Sequence, residues 1–121
     1  MSKDIEQEII AKGLTAPRVT PQHIESVIVS ECYFTAGDGI AGACYRQVKT
    51  LHSPQELELL TLCVLVLRNG FTVTGESACA SPENFDAEIG RKIARENAVN
   101  KIWLLEGYLL KEKLWLDDAG S

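Results

Sequence analysis

The feature that most constrains the fold of this chain is a run of apolar, β-favouring residues that ends at an Asn-Gly pair. The run is LTLCVLVL, residues 60–67, and the segment after the pair is FTVTGESA, residues 71–78, in which apolar and polar residues alternate. Two such segments joined by Asn-Gly are typical of a β-hairpin with a type I′ turn. We therefore predict a hairpin with Asn69 and Gly70 as its central turn residues.

This turn predicts a strand pairing in which the first strand is apolar on both faces. Val66 is expected opposite Val73, and Leu65 opposite Thr74, so the second strand is apolar on one face only. A strand buried on both faces needs two covering layers, and a hairpin alone is only marginally stable. We expect a helix on one face and either N-terminal helices or a second subunit on the other. A third strand is expected from this chain or from a neighbour.

A long amphipathic helix is predicted after the hairpin, over about residues 82–113. Ser81 is a candidate N-cap, and Pro82 suits the first helical position. Gly107 is a candidate position for a bend or break, since glycine weakens a helix by roughly 1 kcal/mol relative to alanine. Apolar residues recur at helical spacing along one predicted face: Phe85, Ile89, Ile93, Ala98, Ile102, Leu105 and Leu109.

Two shorter helices are predicted near the N-terminus. Residues 4–12, DIEQEIIAK, place isoleucines at helical spacing, and Gly13 is a plausible C-cap. A second helix is predicted over about 21–31, with Thr20 as its N-cap and its end near Tyr33.

The middle of the chain carries weaker signals. The small residues of TAGDGIAGA, 35–43, predict a loop. CYRQVKTL, 44–51, is interpreted as an edge strand or part of that loop, and HSPQELEL, 52–59, as a helical turn leading into the sheet or a connection between strands.

These elements predict the α+β class. The expected fold is a small antiparallel sheet built on a hairpin, about 60–67 and 71–78, packed by the long C-terminal helix and the N-terminal helices. The length of 121 residues fits a single domain, 1–121, with 1–13 and 115–121 peripheral or frayed.

Charge and hydropathy narrow the function classes. The net charge of −5 makes nucleic acid an unlikely partner, because phosphate contacts need concentrated Lys and Arg. No run approaches the ~18–20 apolar residues of a membrane span, so no membrane association is expected. The first residues, MSKDIEQEII, lack the basic and apolar regions of a signal peptide, which favours a cytoplasmic location.

The chain shows no pattern of metal-ligating or catalytic residues. Zinc sites usually take two ligands from one tight CxxC-type pair, and the spacing of the four cysteines offers none. We expect reduced thiols, no metal, no cofactor and no catalytic residue; His23 and His52 are the two histidines. The cysteines are Cys32, Cys44, Cys63 and Cys79.

The segment TGESACASPEN, residues 74–84, is the best candidate for binding a ligand. It leaves a predicted strand and enters a helix N-terminus, where unpaired backbone N–H groups can bind an anion. The alternative is self-capping by Ser81 with solvated arginines further along the helix. The candidate ligand-binding residues are Thr74, Glu76, Ser77, Ser81, Asn84, Arg91 and Arg95.

Aromatic residues near the C-terminus allow two interpretations. Trp103, Tyr108 and Trp115 lie in KIWLLEGYLLKEKLWL, which is apolar on more than one side of a helix. They pack in the core, or they leave an apolar patch for a partner.

The block NGFTVTGESACASPENFDAEIGRKIAREN, followed by KIWLLEGYLLKEKL, resembles the tailed-phage gene-product-49-like (gene-66) family. APRVTPQHIESVIVSECYFTA is similar to the same family, and the resemblance spans roughly residues 14–114, with the least match over 40–59. It implies a small accessory protein of a phage or prophage, working in the host cytoplasm. It supplies no catalytic residues to carry over.

The sequence is compatible with three functions. The first is a non-enzymatic binding protein, homo-oligomeric, that modulates a host protein or sequesters a small nucleotide signal of host defence. The second is a small nucleotide-directed hydrolase, whose turnover His23→Ala or Glu76→Gln would abolish. The third is a nucleic-acid-binding regulator, which a steep salt dependence of DNA binding would reveal.

Overall fold

The computed structural model describes residues 3–47 and 54–120; for residues 44–47 it describes the backbone alone. A three-stranded antiparallel sheet carries the long C-terminal helix on one face, which confirms the α+β class. The helices are α1 (Lys3–Ala11), α2 (Pro21–Val27), α3 (Ala36–Gln47) and α4 (Ala87–Ala119); the strands are β1 (Ile28–Thr35), β2 (Leu60–Leu67) and β3 (Thr72–Ala78); 3₁₀ helices span Gln55–Leu59 and Pro82–Asn84.

The chain itself provides the third strand. The strand order is β1-β2-β3, so β2 lies in the centre and is paired on both edges. The prediction of a helix over 21–31 is wrong beyond Val27. α2 ends at this residue, and Ile28 has extended backbone angles. The residues of β1, IVSECYFT, are mostly β-branched, aromatic or small, and pairing with β2 outweighs the weak helical pattern that continued into them.

A helix replaces the loop predicted over 35–43. The Thr35 hydroxyl accepts a hydrogen bond from the Asp38 backbone N–H at 3.0 Å, and the Asp38 carboxylate accepts one from the Thr35 N–H at 3.0 Å. This reciprocal pair is a capping box, so Thr35 starts α3 despite its glycines. The edge strand proposed for 44–51 is absent from 44–47, which are helical, and 48–51 lie outside the described residues.

The predicted hairpin is confirmed, but its register is off by one residue. The turn has three residues rather than two, because the Leu67 N–H donates to the Phe71 carbonyl at 2.8 Å. Gly70 has φ +89, and the Asn69 side chain accepts a hydrogen bond from the Phe71 N–H at 3.0 Å. A type I turn followed by a left-handed glycine is the usual form of this loop.

The register shift decides which side chains share a face of the sheet. Leu65 pairs with Val73, not with Thr74 as predicted, and Cys63 pairs with Gly75. All four of these residues are on the buried face beneath α4.

The long helix is confirmed, but it starts later than predicted. Ser81 makes no side-chain capping hydrogen bond; it precedes the short 3₁₀ helix. The N-cap of α4 is Asp86, whose carboxylate accepts from the Ile89 N–H at 3.0 Å. The helix continues through Gly107 to Ala119.

The face of α4 that packs on the sheet differs from the predicted stripe. Ile89 and Ile93 remain 55% and 44% exposed. Small residues take their place and bring the helix backbone close to Gly75 of β3. The buried residues of α4 are Gly90, Ala94, Ala98 and Ile102.

The first helix begins and ends within one residue of its predicted bounds, and the second begins where the sequence predicts. Gly13 has φ +67 after α1, and the Leu14 N–H reaches back to the Ile9 carbonyl at 3.3 Å, as in a Schellman motif. The Thr20 hydroxyl accepts from the His23 N–H at 3.1 Å and caps α2. The first helix is tied to the chain after it by an ion pair of Glu6 with Arg18.

We call the second face of the sheet the open face, because neither α2 nor α4 covers it in the described residues; α3 adjoins it at one end, beside Phe34. Ile24 and Val27 of α2 join the core with Leu65, so α2 lies on the same face as α4 and does not supply the second layer. The side chains of β2 on the open face, all half-buried, are Leu60, Leu62, Val64 and Val66.

Of the two interpretations of residues 52–59, the structure has the helical turn: a 3₁₀ helix spans Gln55–Leu59 directly before β2.

Candidate functional site

Arg95 joins three elements on the side of α4 that faces β1. Its Nη1 and Nη2 donate to the two carboxylate oxygens of Glu25 in α2, at 3.1 and 2.8 Å. Its Nε and Nη2 donate to Glu31 Oε1 in β1, at 3.0 and 2.7 Å. Two carboxylates therefore occupy the guanidinium, which holds α4 against α2 and β1.

The charges of Arg95, Glu25 and Glu31 stabilise one another. The hydrogen bonds that Arg95 donates to Glu25, and then those that it donates to Glu31, raise the pKa of Arg95. The hydrogen bond from Arg95 lowers the pKa of Glu31. Burial, followed by the hydrogen bond to Glu31, raises the pKa of Tyr33 to about 12. An anionic ligand would have to displace these carboxylates to reach Arg95.

Arg91, one turn earlier on α4, is in a different position. It makes no hydrogen bond or ion pair with the part of the chain that the structure describes, and its side chain borders a pocket of about 320 Å³. We call this the entry pocket, because it lies where the chain enters α4. It is lined by Tyr33, Phe34, Thr35, Asp38, Glu58, Leu59, Thr61, Phe85, Ala87 and Arg91.

The residues that line the entry pocket carry aromatic rings, hydroxyl groups, two carboxylates and one guanidinium. Phe85 offers aromatic surface on the α4 side of the sheet, on which a planar ligand can stack. Phe34 borders the pocket from the strand end, but it pairs with Leu62, so its ring lies towards the open face. Asp38 is held by its capping contacts with Thr35, whose hydroxyl lies 3.5 Å from a Glu58 carboxylate oxygen. These carboxylates can accept hydrogen bonds from hydroxyl or amino groups of a ligand, and the Arg91 guanidinium can bind a phosphate or carboxylate.

The structure divides the seven predicted ligand-binding residues between the two sides of the sheet. Thr74 and Glu76 pair with Val64 and Leu62, so their side chains lie on the open face. The Glu76 carbonyl accepts a hydrogen bond from Asn97 of α4 at 2.8 Å.

The remaining five lie on the side of α4 or in the loop that leads to it. Ser77 pairs with Thr61, which lines the entry pocket. Ser81 and Asn84 are in the loop, where the Asn84 N–H donates to the Ser81 carbonyl at 3.0 Å. Of the seven predicted residues, Arg91 is the one that lines the entry pocket.

The sequence interpretation missed the aromatic residues of the pocket. Phe85 was assigned to the apolar stripe of the long helix, but it precedes the Asp86 cap and is half-buried beside the pocket. The β-branched and aromatic residues of IVSECYFT are the strand signal that the prediction of a helix over 21–31 did not use.

A second cleft lies between α2 and α4, with a volume of about 460 Å³. Trp103 gives it an aromatic wall, and Lys92 and Asn100 give it polar groups. Its cations have partners: Lys92 Nζ lies 3.3 Å from Glu88, and Arg95 binds its two carboxylates. This cleft is therefore a weaker candidate for an anion than the entry pocket.

The groups proposed for hydrolysis do not meet. His23 Nε2 lies 3.0 Å from Glu106 of α4, whereas Glu76 is on the opposite face of the sheet. Cys63 is fully buried beneath α4, where burial raises the pKa of its thiol.

The described residues contain no group of three or more His, Cys, Asp or Glu side chains placed to hold a metal ion. Across residues 3–47 and 54–120, none of the helices combines the length and apolar character that crossing a membrane requires.

A model of a known protein family matches most of the chain. The family model described as "Phage protein (N4 Gp49/phage Sf6 gene 66) family" matches residues 19–114, well over half of the chain. No curated protein and no solved structure matches. The family match covers α2, the whole sheet, the entry pocket and most of α4.

Proposed function

Starting from the fact that this chain belongs to the N4 Gp49/Sf6 gene 66 family of phage proteins, we propose that it is a non-enzymatic binding protein. In this proposal it acts in the host cytoplasm during infection and sequesters a small nucleotide-type signal of host defence. The observation that carries the proposal is the entry pocket, which is lined both by Arg91, an arginine without a partner in the described residues, and by Phe85.

The pocket chemistry fits one nucleotide unit. A base stacks on the ring of Phe85, as bases do on aromatic side chains. Its phosphate binds Arg91, whose planar guanidinium matches phosphate oxygens. Asp38 and Glu58 accept hydrogen bonds from the sugar hydroxyls or an exocyclic amine. The volume of about 320 Å³ lies at the lower end of ligand pockets, so a larger molecule would extend beyond it.

A matched pair of variants tests the site. Arg91→Gln and Lys92→Gln remove the same charge from neighbouring positions of α4, but Lys92 does not line the entry pocket. Wild type and both variants are titrated by calorimetry with mononucleotides, linear dinucleotides and cyclic dinucleotides. We expect at least one of these probes to bind, Arg91→Gln to weaken its binding by roughly tenfold or more, as for a lost charged hydrogen bond, and Lys92→Gln to bind as wild type does.

The same samples separate sequestration from hydrolysis. After incubation with excess protein, the bound probe is released by denaturation and its mass is measured. An unchanged probe supports sequestration. A cleaved probe shows instead that the protein is a hydrolase. The proposal fails if no probe binds, or if Arg91→Gln binds as tightly as wild type. Native mass spectrometry of protein purified gently from its host then identifies the natural ligand.

The open face of the sheet favours a second candidate, binding to a host protein. Leu62, Val64 and Val66 form an apolar strip along the central strand, and α2 and α4 lie on the other face. Val64→Lys would place a charge in the middle of this strip. Loss of a co-purifying host protein on this change, with nucleotide binding retained, would favour this candidate.

A further inference from the structure

The C-terminal half of α4 extends beyond the sheet with apolar side chains in solvent. The last buried residue of α4 is Ile102, and the helix continues to Ala119, about 25 Å further at the usual rise per residue. Leu104 and Tyr108 are 79% and 71% exposed. A single helix this apolar is not stable as a free arm in water, because most helix stability in proteins comes from packing.

These apolar residues form one continuous stripe. Leu105, Leu109, Glu112 and Leu116 follow one another at intervals of three or four residues, which places them on one face of a helix. Three further residues adjoin them at the same spacing: Leu104, Tyr108 and Trp115. We call these seven residues the α4 stripe; Glu112 is its one charged member.

An apolar groove runs alongside the start of the stripe. Its volume is about 480 Å³, and it separates α4 from the tip of the hairpin. Phe71, 55% exposed, is on the hairpin wall, and Arg68 is a cation at the same tip. The groove is lined by Val27, Leu67, Arg68, Asn69, Phe71, Leu104, Leu105, Glu106, Tyr108 and Leu109.

We infer that the α4 stripe and this groove bind a second copy of the chain, in an antiparallel two-fold dimer. The last turns of each α4 lie in the groove of the other copy, so that Leu116 meets Leu104 and Trp115 meets Leu105. In a two-fold interface each such contact occurs twice. Each contact therefore joins a residue of the α4 stripe in one copy to a residue that lines the groove in the other copy.

Charge selects the antiparallel arrangement. With Leu116 against Leu104, Glu112 of one copy lies beside Tyr108 and Leu109 of the other, next to Arg68 on the groove rim. The one carboxylate of the stripe thus meets a cation. In a parallel pair, Glu112 would face the Glu112 of the second copy, and like charges across an interface are unfavourable.

The dimer goes beyond the nucleotide proposal and does not depend on it. It is tested on the full chain without any ligand, by sedimentation equilibrium at micromolar concentration. Leu116→Glu places a charge in the stripe, and Leu114→Glu places the same charge two residues away, on another side of the helix. Both residues are partly exposed, 56% and 37%, so neither change removes a buried core residue. Circular dichroism checks that both variants are folded.

We expect wild type and Leu114→Glu to sediment at twice the chain mass of 13.3 kDa, and Leu116→Glu at the chain mass. Arg68→Glu and Glu112→Arg should each weaken the dimer by roughly tenfold, and the double variant should restore it to within about threefold, as expected for a direct charge pair. A monomeric wild type overturns the inference. So does a Leu116→Glu variant that keeps the wild-type mass, or a double variant no stronger than the two single ones.

Discussion

Gly75 of β3 and Ala94 of α4 bring strand and helix into direct backbone contact. A Cβ atom on Gly75 would overlap the Ala94 carbonyl oxygen and lie 2.9 Å from the Ala98 Cα. The small residues on both sides allow α4 to lie close to the sheet and to cover Cys63 and Leu65 completely. This contact fixes which face of α4 is buried.

Gly75→Ala is therefore expected to destabilise the protein strongly. The atoms in the way belong to the backbone of α4 and cannot move aside as a flexible side chain would. The cost should reach the upper part of the about 1–3 kcal/mol typical of overpacked cores. Urea unfolding followed by circular dichroism measures it, and a loss below about 0.5 kcal/mol would contradict the close packing.

Gly107→Ala, in contrast, is expected to stabilise the protein. This position is in the middle of a continuous helix, and among the described residues no atom outside the adjoining helix backbone and the two neighbouring residues lies within 4 Å of a Cβ placed there. Alanine removes backbone freedom from the unfolded chain, which should raise the free energy of unfolding by about 0.5–1 kcal/mol. The same unfolding assay applies, and a destabilised Gly107→Ala would mean that α4 is bent or packed at this residue.

Ile93 and Ile102 should respond very differently to truncation. Both belong to the apolar stripe that the sequence predicts, but Ile93 is 44% exposed and Ile102 fully buried. Ile102→Ala should cost about 2–5 kcal/mol, as core truncations do, whereas Ile93→Ala should cost less than about 1 kcal/mol. Equal losses in thermal unfolding would show that the helix is rotated from the position described.

The ion pair of Arg95 with Glu31 should make stability depend on acid pH. The folded-state pKa of Glu31 is lowered, chiefly by its hydrogen bond to Arg95. Its contribution is therefore present above the unfolded pKa of about 4.5 and is lost as pH falls through the folded value.

Glu31→Gln removes this contribution at neutral pH. Solvent screens the partly exposed pair, so we expect a loss of roughly 1 kcal/mol at pH 7 that shrinks towards zero as pH falls below 4. Unfolding curves of wild type and variant, recorded between pH 3 and 7, measure the difference. A difference that stays constant over this range would rule out the ion pair as its source.

Local signals in the sequence determined several elements. Thr20 followed by proline gave the start of α2, Gly13 gave the end of α1, and the Asn-Gly pair between two β-favouring segments gave the hairpin. Each is a short-range effect, in which a side chain satisfies a backbone group or a glycine takes a left-handed conformation. Arg91 in the candidate site was also identified from the sequence.

Only the tertiary structure decided the elements that depend on distant partners. Ile28 begins a strand because β2 offers it an edge to pair with, and no local signal outweighs that pairing. The buried face of α4 follows Ala94 rather than Ile93, because close approach to Gly75 covers more of the sheet than larger side chains would allow. Phe34 and Phe85 lie far apart in the chain and line one pocket because β1 and the start of α4 meet at one end of the sheet.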